Sequence, residues 1–350
     1  MVEHQVVAGG TRSGTRVVTL GVAGGPSVAA DVSGISTAVA VGDRFYLVDA
    51  GHGVLRQLRR SGLGSPAPVG PLDALAGVFL THLHSDHVAD LAALLTAGLF
   101  NGLGRVPDVV PIWGPGRRGP LEPLTGAGDP PPVVTPENPG PGTADMVQLL
   151  VRAFSADYNN RARDNRVPTP DALFEGRDVP LPAEYAADPN GDPHPRMSPF
   201  PVHEDDRVRV TATLVQHAPV FPAFAYRFDT DDGSVVVSGD TSPSENLVEL
   251  ARDADLLLHE VISRSAIEAN FPPPRTPATE AVLQHLLGAH TTVEDVGAVA
   301  ERAGAAALVL HHRVPVDLPD EQWAAAQQGY RGRVHVAHDL DVFTVGSTAR

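Results

Sequence analysis

Three histidines and one aspartate fall within the last six residues of the segment Thr81–His87. The apolar run before them, 76–81, predicts a buried strand, and the run after them, 88–100, predicts a helix with leucines along one face. A polar turn in which Asp86 caps the helix is the plainer interpretation. It gives no reason for three imidazoles at the end of a core strand, so the fold must bring this strand end to a place where such side chains act together.

The spacing of these side chains suits a pair of divalent metal ions. His82 and His84 are two residues apart, so both rings point the same way from an extended strand end. Asp86 and His87 lie where the chain turns into the helix and can face a second position. Imidazole and carboxylate ligands together favour zinc, with manganese and iron as alternatives. We therefore expect two divalent metal ions per chain, Zn²⁺ in preference to Mn²⁺ or Fe²⁺.

The composition limits which residue types can bind a metal ion and which partners the protein can bind. The 350 residues include no cysteine, which excludes disulfides and thiolate ligands. The 26 basic and 42 acidic residues give a formal net charge of −16, which disfavours binding of nucleic acid through a general basic surface. A local basic patch stays compatible with that charge.

Two features of the sequence bear on where the protein works. Its first residues lack a basic region followed by an apolar stretch, as a signal peptide would have. No run approaches the ~18 to 20 apolar residues that span a bilayer. We therefore expect a cytoplasmic protein with no signal peptide and no membrane partner.

The order of the predicted elements indicates an α/β fold. Strands are predicted on both sides of the histidine segment and again from residue 207 onward, with helices between them. Two β-rich halves, each covered by helices, predict a four-layer αββα sandwich. We treat residues 1–350 as one domain with a Pro/Gly-rich insertion at about 114–204. This insertion is expected to be extended at first, helical over 144–155, and then packed on the body as a loop or lid.

The His-x-His-x-Asp-His pattern of residues 82–87, after an apolar strand, resembles the signature of the metallo-β-lactamase superfamily. The rest of the chain resembles the ribonuclease Z and arylsulfatase-like branch of that superfamily. The resemblance covers about residues 16–113 and 205–345. It implies the metallo-β-lactamase fold and a hydrolase whose attacking water is activated by two metal ions.

Four further positions match motifs of that branch. Asp49, in Leu-Val-Asp-Ala-Gly, matches a carboxylate that supports the metal-binding loop. His217 matches the third ligand histidine, Asp240 the carboxylate that bridges the metals, and His312 the last ligand histidine. Asp86 would also orient the attacking water. The resemblance implies a first metal held by His82, His84, His217 and Asp240, and a second held by Asp86, His87, Asp240 and His312.

The last of these matches involves two neighbouring histidines. Aligning the apolar residues 308–310 with the strand that precedes this motif in the family favours His312 as the ligand over His311. Neighbours at the end of a strand point to opposite faces, so only one of the two is expected to bind metal.

His290 resembles a histidine of the ribonuclease Z branch that binds no metal and either protonates the leaving oxygen or stabilises charge. Together with Thr291 it also fits the start of the next helix, where Glu294 would complete a capping box. His259 and Glu260 resemble the His-Glu pair of that branch. Glu260 would orient His290, while a buried structural role is the alternative for His259.

The sequence favours a small substrate. The tRNA-processing members of the branch carry a long arm between the third-histidine strand pair and the bridging aspartate. Here the corresponding stretch, 226–234, is a short acidic hairpin. The segment 155–164 weakly resembles arylsulfatase-like members, and its arginines suit an anionic substrate. We therefore expect a hydrolase of the phosphodiesterase, arylsulfatase or lactonase kind.

Two other functions stay open: a tRNA 3′-end processing endonuclease of the ribonuclease Z type, and a metal-binding protein without turnover. As partners we expect a small anionic or cyclic ester substrate, with nucleic acid disfavoured and a homodimer allowed. Salt-dependent binding of RNA separates the endonuclease from the small-ester hydrolase, because only the endonuclease requires it.

Overall fold

The computed structural model describes residues 14–124, 129–185 and 188–346. The N-terminal residues on which the expectation of no signal peptide rests lie outside these ranges. Within them, no helix has the length and the apolar character that crossing a membrane requires.

Fourteen strands in the described residues form two seven-stranded sheets. In chain order they are β1 (Thr15–Gly21), β2 (Ser36–Val41), β3 (Arg44–Val48), β4 (Leu75–Phe79), β5 (Val110–Gly114), β6 (Phe174–Asp178), β7 (Phe200–Glu204), β8 (Arg209–Leu214), β9 (Phe224–Thr230), β10 (Gly233–Val237), β11 (Leu256–Ile262), β12 (Ala307–Val314), β13 (Arg333–Val336) and β14 (Asp341–Thr344). The first sheet has the order β14-β1-β2-β3-β4-β5-β6, and the second has the order β13-β12-β11-β10-β9-β8-β7. The last strand, β14, pairs with β1 and so ties the end of the chain to the first sheet.

The same residues form nine α-helices. They are α1 (Val54–Ser61), α2 (Ser85–Val88), α3 (Leu91–Gly98), α4 (Thr143–Ala153), α5 (Ser155–Asp164), α6 (Glu245–Leu250), α7 (Arg264–Ala269), α8 (Pro277–Ala289) and α9 (Val293–Ala303). Helices α1, α3 and α4 pack on the first sheet through Leu58, Leu94 and Val147. Helices α6 and α9 pack on the second sheet through Leu247 and Val296.

A third apolar cluster lies between the two sheets. Phe79 of β4 meets Phe228 and Tyr226 of β9 edge to face, with ring centroids 5.3 and 5.5 Å apart. Such aromatic pairs bury large apolar areas and prefer this edge-on contact. Helix, sheet, sheet and helix therefore follow one another, which confirms the predicted four-layer αββα sandwich of the α/β class.

The region 114–204 contains more regular structure than the sequence predicted. Helix α4 lies where a helix was expected, but α5 follows it directly, and β6 and β7 each add an edge strand to one sheet. The many prolines of this region favour loops, and edge strands are where a sheet tolerates a proline such as Pro201. The division into one domain with an insertion, and the cytoplasmic location, stay predictions.

Parallel strands bring the expected site residues to one edge of the sandwich. Strand β3 is parallel to β4 in the first sheet, and β10, β11 and β12 are parallel in the second. Asp49 follows β3, residues 82–87 follow β4, Asp240 follows β10, and His312 lies near the end of β12. Because the carboxyl ends of parallel strands share an edge, these side chains meet.

Candidate metal centre

The residues expected to bind metal come together in two groups that share Asp240. In each group, one ligand atom per residue lies within 4.8 Å of all the others. His84 is exposed and Asp86 is half-buried, so the centre opens to solvent on their side. The two groups are His82, His84, His217 and Asp240, and Asp86, His87, Asp240 and His312.

The separations between these ligand atoms fit metal coordination. Asp240 Oδ1 lies 3.3 Å from His87 Nε2 and 3.2 Å from His312 Nε2. Asp240 Oδ2 lies 3.7 Å from His82 Nε2 and 3.8 Å from His217 Nε2. Ligand atoms about 2.0–2.1 Å from a tetrahedral zinc ion lie roughly 3.3–3.4 Å from one another, close to these values.

Several of these atoms are buried without a hydrogen-bond partner among the described residues, namely Nε2 of His82, Nε2 of His87 and Oδ1 of Asp240. Buried polar atoms are nearly always satisfied in folded proteins, and each unsatisfied one costs stability. A divalent cation satisfies imidazole nitrogens and a carboxylate oxygen at once. The donor set therefore fits two divalent ions bridged by Asp240.

Burial favours the neutral form of two of the imidazoles, which is the form that binds metal. It lowers the pKa of His82 well below its usual range, although the nearby Asp240 carboxylate opposes the shift. It also lowers the pKa of His217 to about 3. His217 Nδ1 donates a hydrogen bond to the Ala289 carbonyl at 3.0 Å, which leaves Nε2 as the nitrogen that faces Asp240.

Asp49 orients one of the ligands without belonging to either group. Its Oδ1 accepts a hydrogen bond from the Thr81 backbone N–H at 2.7 Å. Its Oδ2 accepts from the Thr81 hydroxyl and from His87 Nδ1, both at 2.8 Å. With Nδ1 of His87 used as a donor, Nε2 is free to face Asp240.

Glu260 joins the loop of Asp240 to the loop of His290. Its buried Oε1 accepts hydrogen bonds from Thr241 N at 3.0 Å, from Thr291 N at 3.1 Å and from His290 Nδ1 at 3.1 Å. Burial alone would lower the pKa of His290, but Glu260, with help from Asp240, raises it to about 9. His290 Nδ1 lies 3.9 Å from Asp240 Oδ2, so this imidazole lies beside the ligand groups and belongs to neither.

The structure separates the two histidines near the end of β12. His312 lies in the second ligand group, whereas His311 is buried and lies in neither. His312 is the extra residue of a β-bulge, because the residues before and after it pair with consecutive residues of β11. Its φ of 43° lies in the left-handed region. A bulge redirects a side chain, and this one directs only His312 toward Asp240.

We expect His312→Ala to lose about one metal ion per chain. Its second ligand group would keep only Asp86, His87 and the shared Asp240, one ligand fewer than a closed four-coordinate site. His311→Ala should leave the metal content nearly intact. Metal analysis after dialysis, on both variants and the parent protein, measures this difference. Loss of metal in His311→Ala alone would shift the ligand assignment by one residue.

The turn Gly24–Gly25, which follows β1, contacts the second ligand group. Gly25 N donates a hydrogen bond to Asp86 Oδ2 at 2.9 Å. A Cβ atom on Gly24 would lie 2.4 Å from His312 Nδ1, closer than real Cβ contacts come. Gly24 N also donates to the Arg313 carbonyl at 3.3 Å. The turn therefore supports two ligands through its backbone, and the glycine pair at a strand end was its only sequence signal.

We expect Gly24→Ala to weaken binding of the second metal by about 10- to 100-fold, the usual effect of losing a residue that supports a ligand. The added methyl group would displace the His312 ring, while the first group would keep its ion. Titration of the apoprotein with metal measures both sites. Gly288→Ala is the control, since its Cβ would meet nothing within 4 Å and it lies in a helix. If Gly24→Ala binds metal at both ligand groups as tightly as the parent protein, the turn does not support His312.

Three other histidines take different places. His259 is buried, and its Nδ1 donates a hydrogen bond to the Glu260 carbonyl at 2.7 Å, which is a structural role. His203 in β7 lies 3.1 Å from Asp205. His52 is exposed and lines a pocket that also includes Asp86.

The sequence matches the family model of the metallo-beta-lactamase superfamily over residues 31–153. A ribonuclease Z of Mycobacterium bovis (strain BCG / Pasteur 1173P2) is 32% identical over 329 residues, which cover 92% of this chain and 96% of that protein. The chain belongs to the ribonuclease Z family of the metallo-β-lactamase superfamily. It is a metal-dependent hydrolase. A ribonuclease Z of Mycobacterium avium (strain 104) is 33% identical over 326 residues, with the same coverage of both chains.

Solved structures of this superfamily share the fold. The short form of human tRNase Z superposes with a TM-score of 0.60 at 17% identity, covering 94% of this chain and 99% of that one. The metallo-beta-lactamase fold protein YhfI from Bacillus subtilis superposes with a TM-score of 0.58 at 20% identity, covering 94% and 98%. At these identities the likeness bears on the fold alone.

Membership in the ribonuclease Z family corrects the expected substrate. We expected a small anionic or cyclic ester with nucleic acid disfavoured, and this is wrong, because the relatives matched over nine tenths of the chain are ribonucleases by name. Net charge describes the whole surface, whereas a nucleic acid meets only the part around the site. All 26 basic residues here are arginines, which pair with phosphate through two parallel hydrogen bonds.

Proposed function

We propose that this chain is an RNA phosphodiesterase of the ribonuclease Z type, working with two divalent metal ions, of which zinc is favoured. The observation that carries the proposal is that both ligand groups are complete in a chain that aligns over 92% of its length with a ribonuclease Z. The endonuclease alternative is thus better supported than the small-ester hydrolase. Sulfate esters and lactones have no support of this kind.

The ligand groups define what each residue would do. When bound, the two ions would supply a water of lowered pKa and would polarise the phosphoryl oxygens. Asp86, on the open side of the centre, would accept a hydrogen bond from the attacking water and so orient it. His82, His84, His217 and Asp240 would hold the first ion, and Asp86, His87, Asp240 and His312 the second.

His290 would protonate the leaving oxygen. Its Nδ1 is engaged with Glu260, so Nε2 is the nitrogen free to donate a proton to substrate. A pKa of about 9 keeps this imidazole protonated at neutral pH. Its side chain is 12% exposed, which lets a substrate oxygen reach it. Glu260 acts through His290 and is a positioning residue.

The chain has a short hairpin at 226–234 in place of the long arm of tRNA-processing members, so RNA would have to be held by other parts of the surface. The hairpin between β9 and β10 is short and carries Asp231 and Asp232. Arg117 follows β5 and Arg264 follows β11, each on the carboxyl side of its strand and each exposed. Because the candidate site also lies beyond carboxyl ends of strands, Arg264 would be well placed to contact a phosphate near it, and Arg117 would do so by exchanging its hydrogen bonds to Asp145 for a phosphate.

The experiment is cleavage of a tRNA precursor that carries a 3′ extension. Metal-loaded protein is expected to cut the precursor at one position and to leave the mature tRNA intact, and binding should weaken as salt rises. His84→Ala should abolish cutting, while Asp206→Ala, at an exposed carboxylate paired with Arg44, should not. Turnover of sulfate esters or lactones with no cutting of RNA would contradict the proposal.

A further inference from the structure

A pocket with a volume of about 110 Å³ opens beside the candidate metal centre. One wall is part of the loop 23–34, which follows β1, and the opposite wall includes Ser85, Asp86, Ala89 and His52. Asp86 belongs both to this wall and to the second ligand group. A chemical group that fills the pocket would therefore lie directly beside a phosphate bound at the second ligand group.

The lining does not favour an anionic occupant. Among the described residues that form it there is no arginine, and Asp86 is its one carboxylate. A phosphate or sulfate in this pocket would therefore find no guanidinium to bind it through charged hydrogen bonds. Val28 and Ala29 present apolar surface, whereas Ser85 and His52 offer a hydroxyl and a flat ring. The lining therefore suits a neutral, flat group with a few polar atoms on its edge.

The size of the pocket fits the same kind of group. One water-sized atom takes up about 10–15 Å³ of cavity volume. A cavity of 110 Å³ therefore has space for roughly 7 to 11 such atoms. A pyrimidine or purine base has about this many heavy atoms. Bases of single-stranded RNA are commonly splayed out and stacked on protein side chains, histidine among them.

Hydrogen bonds hold the two walls of the pocket together in the absence of a ligand. The loop is closed at its base by hydrogen bonds from Ala23 N to Ser33 O at 3.0 Å and from Gly34 N to His52 O at 2.8 Å. Gly25 N bonds to Asp86 Oδ2 across the pocket. A preformed pocket binds without the cost of ordering a loop.

We propose that this pocket is the subsite for the nucleobase next to the scissile phosphate. The inference rests on the proposed RNA phosphodiesterase function, because only a nucleotide substrate supplies a base at that position. It also gives the loop after β1 two roles, since the same loop supports the second ligand group and recognises the substrate.

The test compares nucleotides with their abasic counterparts. Uridine 3′- and 5′-monophosphate, and the matching ribose phosphates, are titrated into the metal-loaded protein by calorimetry. One nucleotide should bind about 10- to 100-fold more tightly than its ribose phosphate, the usual effect of a stacked base. The 3′ isomer tests the base upstream of the phosphate, and the 5′ isomer tests the base downstream.

Two variants of the same loop provide a matched pair. Ala29→Phe fills the pocket and should remove the preference for the nucleotide, while metal content and affinity for ribose phosphate stay the same. Ala30→Phe adds the same ring at an exposed neighbour outside the lining and should keep the preference. If Ala29→Phe loses metal or unfolds, His52→Ala replaces it, because that exposed ring should contribute several-fold to nucleotide affinity.

The results separate this inference from the proposed function. If each nucleotide binds the parent protein no more tightly than its ribose phosphate, the assignment of the pocket as a base subsite is wrong, even if RNA is cut. A preference for the nucleotide that survives Ala29→Phe would overturn it as well. A preference lost only in Ala29→Phe, in a protein that fails to cut the tRNA precursor, would support the pocket and reject the proposed function.

Discussion

Replacing Asp240 by alanine is expected to remove most of both metal ions and nearly all hydrolytic activity. Its two carboxylate oxygens face different groups, Oδ1 toward His87 and His312 and Oδ2 toward His82 and His217. The remaining ligands of the two groups share no other residue. Metal affinity should fall by more than about 100-fold, the upper end for losing a residue that supports a ligand.

Metal content per chain after dialysis, followed by titration of the apoprotein, measures this loss. Asp206→Ala is the control, because it removes an exposed carboxylate that pairs with Arg44 outside the ligand groups. A thermal unfolding curve shows whether Asp240→Ala still folds. If this variant keeps two ions per chain, Asp240 does not bridge them.

The residues of the two candidate ligand groups could be picked out from the sequence because each lies close to a strand end, and the structure brings them together. Residues 82–87 lie between the apolar strand β4 and helix α3, where the sequence predicted a strand followed by a helix. The choice of His312 over His311 required an alignment with the family. The structure supplies the physical reason, since a β-bulge at His312 sets the two rings apart.

The contact of Gly24 with His312 could not be predicted from the sequence. The two residues are 288 positions apart, and Gly24 takes part through its backbone because it has no side chain. Neither the spacing nor the composition of the sequence therefore indicates the contact. The strands β6 and β7 were missed for another reason. They lie in proline-rich sequence and gain their pairing only from the sheet edges that the rest of the chain provides.

The substrate was predicted wrongly because the net charge averages over the whole chain, and the hairpin lies at the opposite end of β10 from Asp240. A net charge of −16 and a short hairpin at 226–234 both disfavoured nucleic acid. Neither property describes the surface that faces the ligand groups, where the exposed side of the centre is formed by His84 and Asp86. Local features decide binding there, because charges beyond about 8–10 Å are largely screened at physiological salt.

His290→Ala is expected to lower kcat by about 10²–10⁴-fold on an alkyl phosphodiester such as RNA, the usual contribution of a general acid. On a p-nitrophenyl phosphodiester the fall should be much smaller, because nitrophenolate leaves without a proton. The metals and the fold should be kept, since His290 lies outside both ligand groups. His285→Ala is the control, because His285 is a nearby histidine of α8 that also lies outside both groups.

The comparison of the two leaving groups distinguishes proton donation from other roles of His290. Glu260 holds Nδ1 of the ring at 3.1 Å, so Nε2 is the nitrogen whose proton is at stake. Equal losses on both substrates would mean that His290 stabilises the transferring phosphoryl group or positions the substrate. Loss of a metal ion in the same variant would place His290 among the ligands, and proton donation by this residue would then be rejected.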